Sequence, residues 1–133
     1  MFITFYSLCK LLEKIFKNTP IVIHSYDWSP ITFSSIATAC DFAIIPIPNY
    51  PMMMLKPENK MLLLWSLGIP VIASATSAYK RVMDEIGQEM TCSNVEEWSE
   101  KIVELFSDKK KRIDYMKAVG KYMKDKYSPK IVT

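Results

Sequence analysis

The sequence contains little glycine and little histidine, and this scarcity excludes several familiar kinds of functional site. Its 133 residues include three glycines and one histidine. It contains no GxGxxG and no Walker A sequence, so it has neither the dinucleotide-binding turn of Rossmann enzymes nor a P-loop. The single histidine cannot complete a Cys/His metal site, and the three cysteines form no CxxC pair. A metal centre is therefore not expected.

Charge of one sign and long apolar runs are also scarce. The net charge is +3, with acidic residues mixed among the basic ones, which gives no support to nucleic-acid binding. The sequence has no apolar run long enough to span a bilayer, and its apolar first residues lack the flanks of a signal peptide. Cys9, Cys40 and Cys92 are interpreted as reduced thiols. We therefore expect a cytoplasmic protein without a transmembrane segment.

Two periodicities alternate along the chain, and half of its residues are hydrophobic. Short apolar runs predict buried strands at Ile21–His24, Asp41–Pro46, Pro70–Ala73 and Glu89–Cys92. Helical spacing predicts helices at Phe2–Phe16, from Pro30 to about Thr38, and at Glu58–Leu67, Ala78–Ile86, Asn94–Phe106 and Lys109–Lys126. A proline-rich loop separates the second strand from the Glu58 helix. Apolar strands separated by helices predict one α/β domain over residues 1–133, with a doubly wound, Rossmann-like parallel sheet of about four strands.

Several details of these elements are also predicted. Gly68 and Gly87 are expected to end helices, and Ser77 is expected to cap the start of the Ala78 helix. The helix at Glu58–Leu67 is apolar on nearly every side and is expected to be buried. Two helices are expected to turn one apolar face inward. On Asn94–Phe106 this face consists of Val95, Trp98, Ile102, Val103 and Phe106, and on Lys109–Lys126 it consists of Ile113, Met116, Val119, Tyr122 and Met123.

Ligands of such sheets bind beyond the carboxyl ends of the strands, where the next helices begin. The residues at Lys56–Lys60 combine a helix start with two lysines, which suits a diphosphate. The residues at Ser74–Tyr79 combine small side chains with hydroxyl groups. Each segment also has a simpler interpretation. Lys56–Lys60 is then a solvated first helical turn that Glu58 caps, and Ser77 in the second segment is only the N-cap of a helix.

Two other features carry less functional information. His24 ends a predicted strand with only Asp27 near it in the sequence, so we interpret it as a structural residue and assign no catalytic residue. The run Asp108–Arg112 is interpreted as a solvated helix start.

The order of three segments, Cys40–Pro46, Lys56–Lys60 and Leu67–Ser74, resembles the carboxyl-terminal domain of GT-B glycosyltransferases. That domain has a strand ending in proline, a basic helix start and a G-x-P-V step into the next strand. The resemblance extends from about Ile21 to Ser128. It implies binding of a nucleoside-diphosphate sugar as a substrate, without a further cofactor. The residues that the resemblance implies as donor-binding are Lys56, Glu58, Asn59, Lys60, Ser74, Thr76, Ser77, Ala78 and Tyr79.

The sequence also departs from the family pattern. Many retaining members carry two glutamates around this helix, and the corresponding positions here are Leu55 and Leu63. The resemblance implies that the sheet is incomplete at its amino terminus, where the first strand of the family's domain is missing. It further implies an amino-terminal acceptor domain or a second subunit, so this chain alone is not expected to transfer sugar. The alternative function is a non-catalytic interaction module, with the Phe2–Phe16 helix as a contact. A receiver-like domain is excluded because its acidic cluster is absent.

Overall fold

The fold alternates helices with short parallel strands. The computed structural model describes residues 17–20, 22, 29–47, 51–55 and 57–127. In chain order the elements are α1 (Pro30–Thr38), β1 (Ala43–Ile45), α2 (Pro51–Met54), α3 (Asn59–Ser66), β2 (Val71–Ser74), α4 (Ser77–Ile86), β3 (Thr91–Cys92), α5 (Val95–Ser107) and α6 (Lys109–Tyr127). The predicted helix Phe2–Phe16 and the predicted strand Ile21–His24, apart from Val22, lie outside the described residues. Val22 is 73% exposed and is not part of a strand, so the prediction of a buried strand is wrong at this residue.

Within the described residues the sheet has three strands in the order β1–β2–β3, and both pairs are parallel. Ile45 pairs with Ala73, and Ser74 pairs with Cys92. The predicted α/β class with a parallel sheet is therefore confirmed. The central strand β2 is buried along its whole length, as its unbroken apolar run predicts.

Local sequence signals explain where several elements begin and end. Ser29 caps α1 by accepting a hydrogen bond from the amide of Thr32, and Pro30 occupies the first helical position. Gly68 and Gly87 follow α3 and α4 with φ angles of 83° and 69°. Only glycine adopts this left-handed conformation without a steric penalty, so both predicted helix ends are confirmed.

Three predictions about helices need correction. The proline-rich segment after β1 contains a short helix, α2, instead of loop alone. In α3, Met61, Leu64 and Trp65 are buried, but Leu63 is exposed, so the helix lies at the surface with one inward face. The helix also starts one residue later than predicted, at Asn59, and ends one residue earlier, at Ser66.

The inward face of α5 also differs from the prediction. Val95, Val103 and Phe106 are 73%, 62% and 73% exposed. Leu105 is fully buried, and Trp98 and Ile102 pack partly against the core. In chain order, Trp98, Ile102 and Leu105 are spaced i, i+4, i+7, and they form the stripe of α5 that contacts the core. Among the described elements, α5 packs closely against only β3 and α6, and these cover one of its two apolar stripes.

Tyr115 of α6 is fully buried, although the periodicity of this helix did not identify it as an inward residue. Its hydroxyl donates to the carbonyl of Val71 (2.7 Å) and accepts hydrogen bonds from the Val71 amide (3.3 Å) and Trp65 Nε1 (3.2 Å). Burial raises the pKa of this hydroxyl well above its ordinary value. Val119 lies one turn further along α6 and is buried as predicted, whereas Ile113 is exposed.

None of the helices in the described part of the chain is long and apolar enough to cross a membrane.

We predict that Tyr115→Phe lowers the free energy of unfolding by about 1–3 kcal/mol, because the Trp65 and Val71 N–H groups lose a buried acceptor. The ring is kept, so no large cavity forms. Urea unfolding measures the change. Tyr79→Phe is the matched control, since the Tyr79 ring is equally buried and its hydroxyl has no hydrogen bond within the described residues. Equal losses in the two variants would contradict this account.

We predict that Cys92 reacts very slowly with iodoacetamide in the folded protein at pH 8. It is buried at the end of β3, and burial raises the pKa of its thiol to about 11. Little thiolate, the reactive form, is therefore present at this pH. Mass spectrometry after labelling with and without urea compares the two states. Equal labelling rates in both states would show that Cys92 is accessible.

Candidate functional site

The carboxyl ends of β1 and β2 lie side by side because the two strands are parallel neighbours. The buried side chain of Ser74, the last residue of β2, links the two chain segments. Its Oγ accepts a hydrogen bond from the amide of Ile47 at 2.7 Å. The segment that leaves β1 is thereby fixed against the end of β2. Ser74 was predicted to contact a ligand, and in the structure its hydroxyl positions the loop.

The start of α4 follows directly on this edge. Thr76 is the N-cap, and its Oγ1 accepts a hydrogen bond from the Tyr79 amide at 3.2 Å. Its carbonyl accepts from the Lys80 amide at 2.9 Å. The predicted cap, Ser77, is instead the first residue of the helix and is exposed. The cap lies one residue earlier because the buried Thr76 hydroxyl, and not that of Ser77, reaches the Tyr79 amide.

The amides of Ser77 and Ala78 make no hydrogen bond with any residue that the structure describes. Ser77 is exposed and Ala78 is half-buried. The first N–H groups of a helix carry the positive end of its dipole and bind anions readily. This end of α4 is therefore able to bind an anionic group.

The start of α3 is joined to α4 by an ion pair. Glu58 Oε1 lies 2.8 Å from Nη2 of Arg81, a residue in the second turn of α4. Glu58 precedes the helix but makes no capping hydrogen bond through its side chain, so its carboxylate is committed to Arg81. Asn59 and Lys60, in the first turn of α3, are both exposed. The ion pair brings the two helix starts to one place on the surface.

Tyr79 contributes to the core beneath this surface. Its side chain is 1% exposed, so it supports the start of α4 from the inside. Burial raises the pKa of its hydroxyl, and the nearby Glu58 carboxylate adds to the shift. The hydroxyl therefore remains protonated at neutral pH.

The predicted binding residues thus fall into two groups. Ser74, Thr76 and Tyr79 are buried and shape the edge, and Lys56 lies outside the described residues. Five residues are placed around the two helix starts with accessible surface: Glu58, Asn59, Lys60, Ser77 and Ala78. Arg81 was not predicted. Its spacing of four residues from Ser77, which places both on one helix face, is the signal that could have identified it.

A shallow, open groove lies at the opposite, amino-terminal edge of the sheet. Its lining includes Asp41, Pro70 and the α6 residues Lys109, Arg112 and Lys117. The Arg112 guanidinium already donates to the carbonyl of Leu105 at the end of α5 (2.6 Å). This side chain therefore joins α5 to α6.

The described residues contain no group of three or more His, Cys, Asp or Glu side chains arranged to hold a metal ion. Comparison of the chain with protein-family models, curated protein sequences and solved structures gives no match.

We predict that Thr76→Val lowers the free energy of unfolding by about 1 kcal/mol, because the Tyr79 amide loses its capping acceptor while the buried volume is kept. Ser77→Ala is the matched control and should change stability by a few tenths of a kcal/mol at most, since Ser77 is exposed and does not cap. Denaturant unfolding compares the variants. A larger loss from Ser77→Ala would restore Ser77 as the cap.

Proposed function

We propose that this chain binds the nucleoside-diphosphate sugar of a GT-B-type glycosyltransferase at the carboxyl edge of β1 and β2. The observation that carries the proposal is the meeting of two helix starts, α3 and α4, across the 2.8 Å ion pair between Glu58 and Arg81. These are the same two segments on which the sequence resembles the donor-binding domain of that family.

The physical support is the concentration of anion-binding groups at this point. The α4 start presents the Ser77 and Ala78 amides, and the α3 start presents the exposed Lys60 side chain. Two helix dipoles direct their positive ends toward the same surface. A diphosphate carries two or more negative charges and many acceptor oxygens, so it suits such a surface better than a neutral ligand does.

Sugar recognition differs here from the usual family pattern. Leu55 and Leu63 stand where many members carry glutamates, and both side chains are exposed to solvent. Neither can accept a hydrogen bond from a ribose hydroxyl. Asn59 lies exposed in the first turn of α3, and its amide is the group proposed to take that role.

The proposed chemistry is stabilisation of the leaving diphosphate during sugar transfer. Fixed N–H dipoles and basic side chains favour the charge that develops on the diphosphate in the transition state. The acceptor would be held by an amino-terminal domain or second subunit, as the resemblance implies. We also propose a doubly wound sheet and a cytoplasmic location.

A second candidate function is a non-catalytic interaction module. Val95, Val103 and Phe106 expose most of their apolar surface on α5. Exposed apolar side chains that lie together often mark an interface. Light scattering after size-exclusion chromatography tests this candidate: a monomer at all concentrations would count against self-association.

We predict that the purified protein binds at least one of UDP, GDP and ADP in isothermal titration calorimetry, and that affinity falls as salt rises. The diphosphate supplies the charge that the two helix starts attract, so the corresponding nucleoside should bind much more weakly.

The nucleoside titration is the control for apolar contact with the base. A folded sample that binds none of the three diphosphates would contradict the proposed function. Equal affinity for nucleoside and diphosphate would contradict the placement of the diphosphate at the helix starts.

A further inference from the structure

The last helix, α6, concentrates the positive charge of the chain. Its 19 residues include eight basic and two acidic side chains, a net charge of +6, whereas the whole chain has a net charge of +3. The rest of the chain therefore has a net charge of −3. Such an asymmetry gives one side of a domain a positive electrostatic potential and favours an anionic partner there.

Helical spacing brings the exposed lysines of α6 together. Four of them follow one another at intervals of seven, four and three residues, which places them in one line along the helix: Lys110, Lys117, Lys121 and Lys124. The line is about 21 Å long, given the rise of an α-helix. Lys109, which is also exposed, lies beside it. We name these five residues the lysine face.

The lysine face is not neutralised by any residue that the structure describes. None of its five lysines forms an ion pair there. The other two lysines of α6 do pair with glutamates of neighbouring helices, Lys111 with Glu104 and Lys126 with Glu85. The two aspartates of α6 lie along one border of the face, each four residues after one of its lysines. Like charges at helical spacing repel one another, and an anionic partner relieves this repulsion.

An exposed apolar side chain lies within the lysine face. Ile113 is 46% exposed, and it lies four residues after Lys109 and four before Lys117. These three residues also line the shallow groove at the amino-terminal edge of the sheet, away from the candidate site. Cations around an apolar side chain suit a membrane surface, because the lysines contact lipid phosphates while the apolar group enters the boundary with the acyl chains.

The lysine face has few of the groups that nucleic-acid binding requires. Proteins stack aromatic side chains on single-stranded bases and read duplexes with arginine, asparagine or glutamine. Helix α6 contains no asparagine or glutamine, and its one arginine, Arg112, donates to two carbonyls at the end of α5. Tyr115 and Tyr122 pack in or against the core. Lysines are hydrated point charges that act separately on an anionic surface, so a membrane is the favoured partner.

We propose that the lysine face of α6, together with Ile113, docks this protein on a membrane leaflet that carries anionic phospholipids. Docking through this face does not depend on nucleotide binding at the carboxyl edge of the sheet. A small free anion such as pyrophosphate can contact only one or two of these lysines at a time, and we expect it to bind them weakly.

Co-sedimentation with lipid vesicles tests this docking. The wild type should bind vesicles of phosphatidylcholine with about one-third phosphatidylserine, less as salt rises, and should not bind pure phosphatidylcholine. The double variant Lys117→Gln/Lys121→Gln should weaken binding roughly 10- to 30-fold, since each lysine near an anionic surface contributes about fivefold. Ile113→Ser should weaken it about threefold or more without changing the charge. Lys17→Gln/Lys80→Gln is the matched control, because it removes two exposed charges outside α6 and should change affinity less than about threefold.

All of the substituted side chains are exposed, so the variants are expected to fold, and circular dichroism checks this. Equal losses in the two double variants would show that net charge alone is responsible and would overturn the role of the lysine face. Equal binding to both kinds of vesicle, or to neither, would overturn membrane docking. Tighter binding to DNA oligonucleotides than to the phosphatidylserine vesicles would identify nucleic acid as the partner instead. Nucleotide titrations are measured separately, so each of these outcomes leaves the proposed function standing.

Discussion

The hydroxyl of Tyr115 is hydrogen-bonded to both the amide and the carbonyl of Val71, the first residue of the central strand. It also accepts a hydrogen bond from Trp65 of α3, and the two rings meet edge to face with centroids 6.2 Å apart. One buried group thereby fixes the last helix, the third helix and the central strand relative to each other. Since α3 leads into β2 through Gly68, this contact also sets where β2 begins.

The candidate site depends on this arrangement through β2. The strand pairs with both neighbours and ends at Ser74, whose hydroxyl secures the chain leaving β1. Thr76 then starts α4 beside that chain, and the ion pair between Glu58 and Arg81 joins α4 to the start of α3. The core therefore determines the spacing of the two helix starts, and the ligand-binding groups proposed here are mostly backbone amides and cations placed by that spacing.

Much of the fold could be predicted because its signals are local. Ser29 and Pro30 specify the start of α1, and Gly68 and Gly87 specify helix ends through their positive φ angles. The position of the α4 cap was missed by one residue, because Thr76 and Ser77 both carry hydroxyls and only burial distinguishes them. The inward face of α5 was missed because the helix carries two apolar stripes, and neighbouring elements decide which is covered. Such choices depend on tertiary packing.

The candidate site stays a prediction, and the structure adds contacts that no sequence pattern reports. The resemblance identified the two loops, but the pair of Glu58 and Arg81 joins residues 23 positions apart, and no periodicity reports such a contact. Burial likewise assigned Ser74, Thr76 and Tyr79 to the support of the edge. These side chains position the backbone of the candidate site.

The central claim is that an anionic ligand binds at the carboxyl edge of the sheet. Amide chemical shifts in ¹H–¹⁵N NMR spectra, followed during a pyrophosphate titration, locate the bound anion directly. We expect the largest changes at Ser77, Ala78 and Asn59, with one saturable affinity for all three. Larger changes at Lys109, Arg112 and Lys117, which line the groove at the opposite edge, would contradict anion binding at the carboxyl edge.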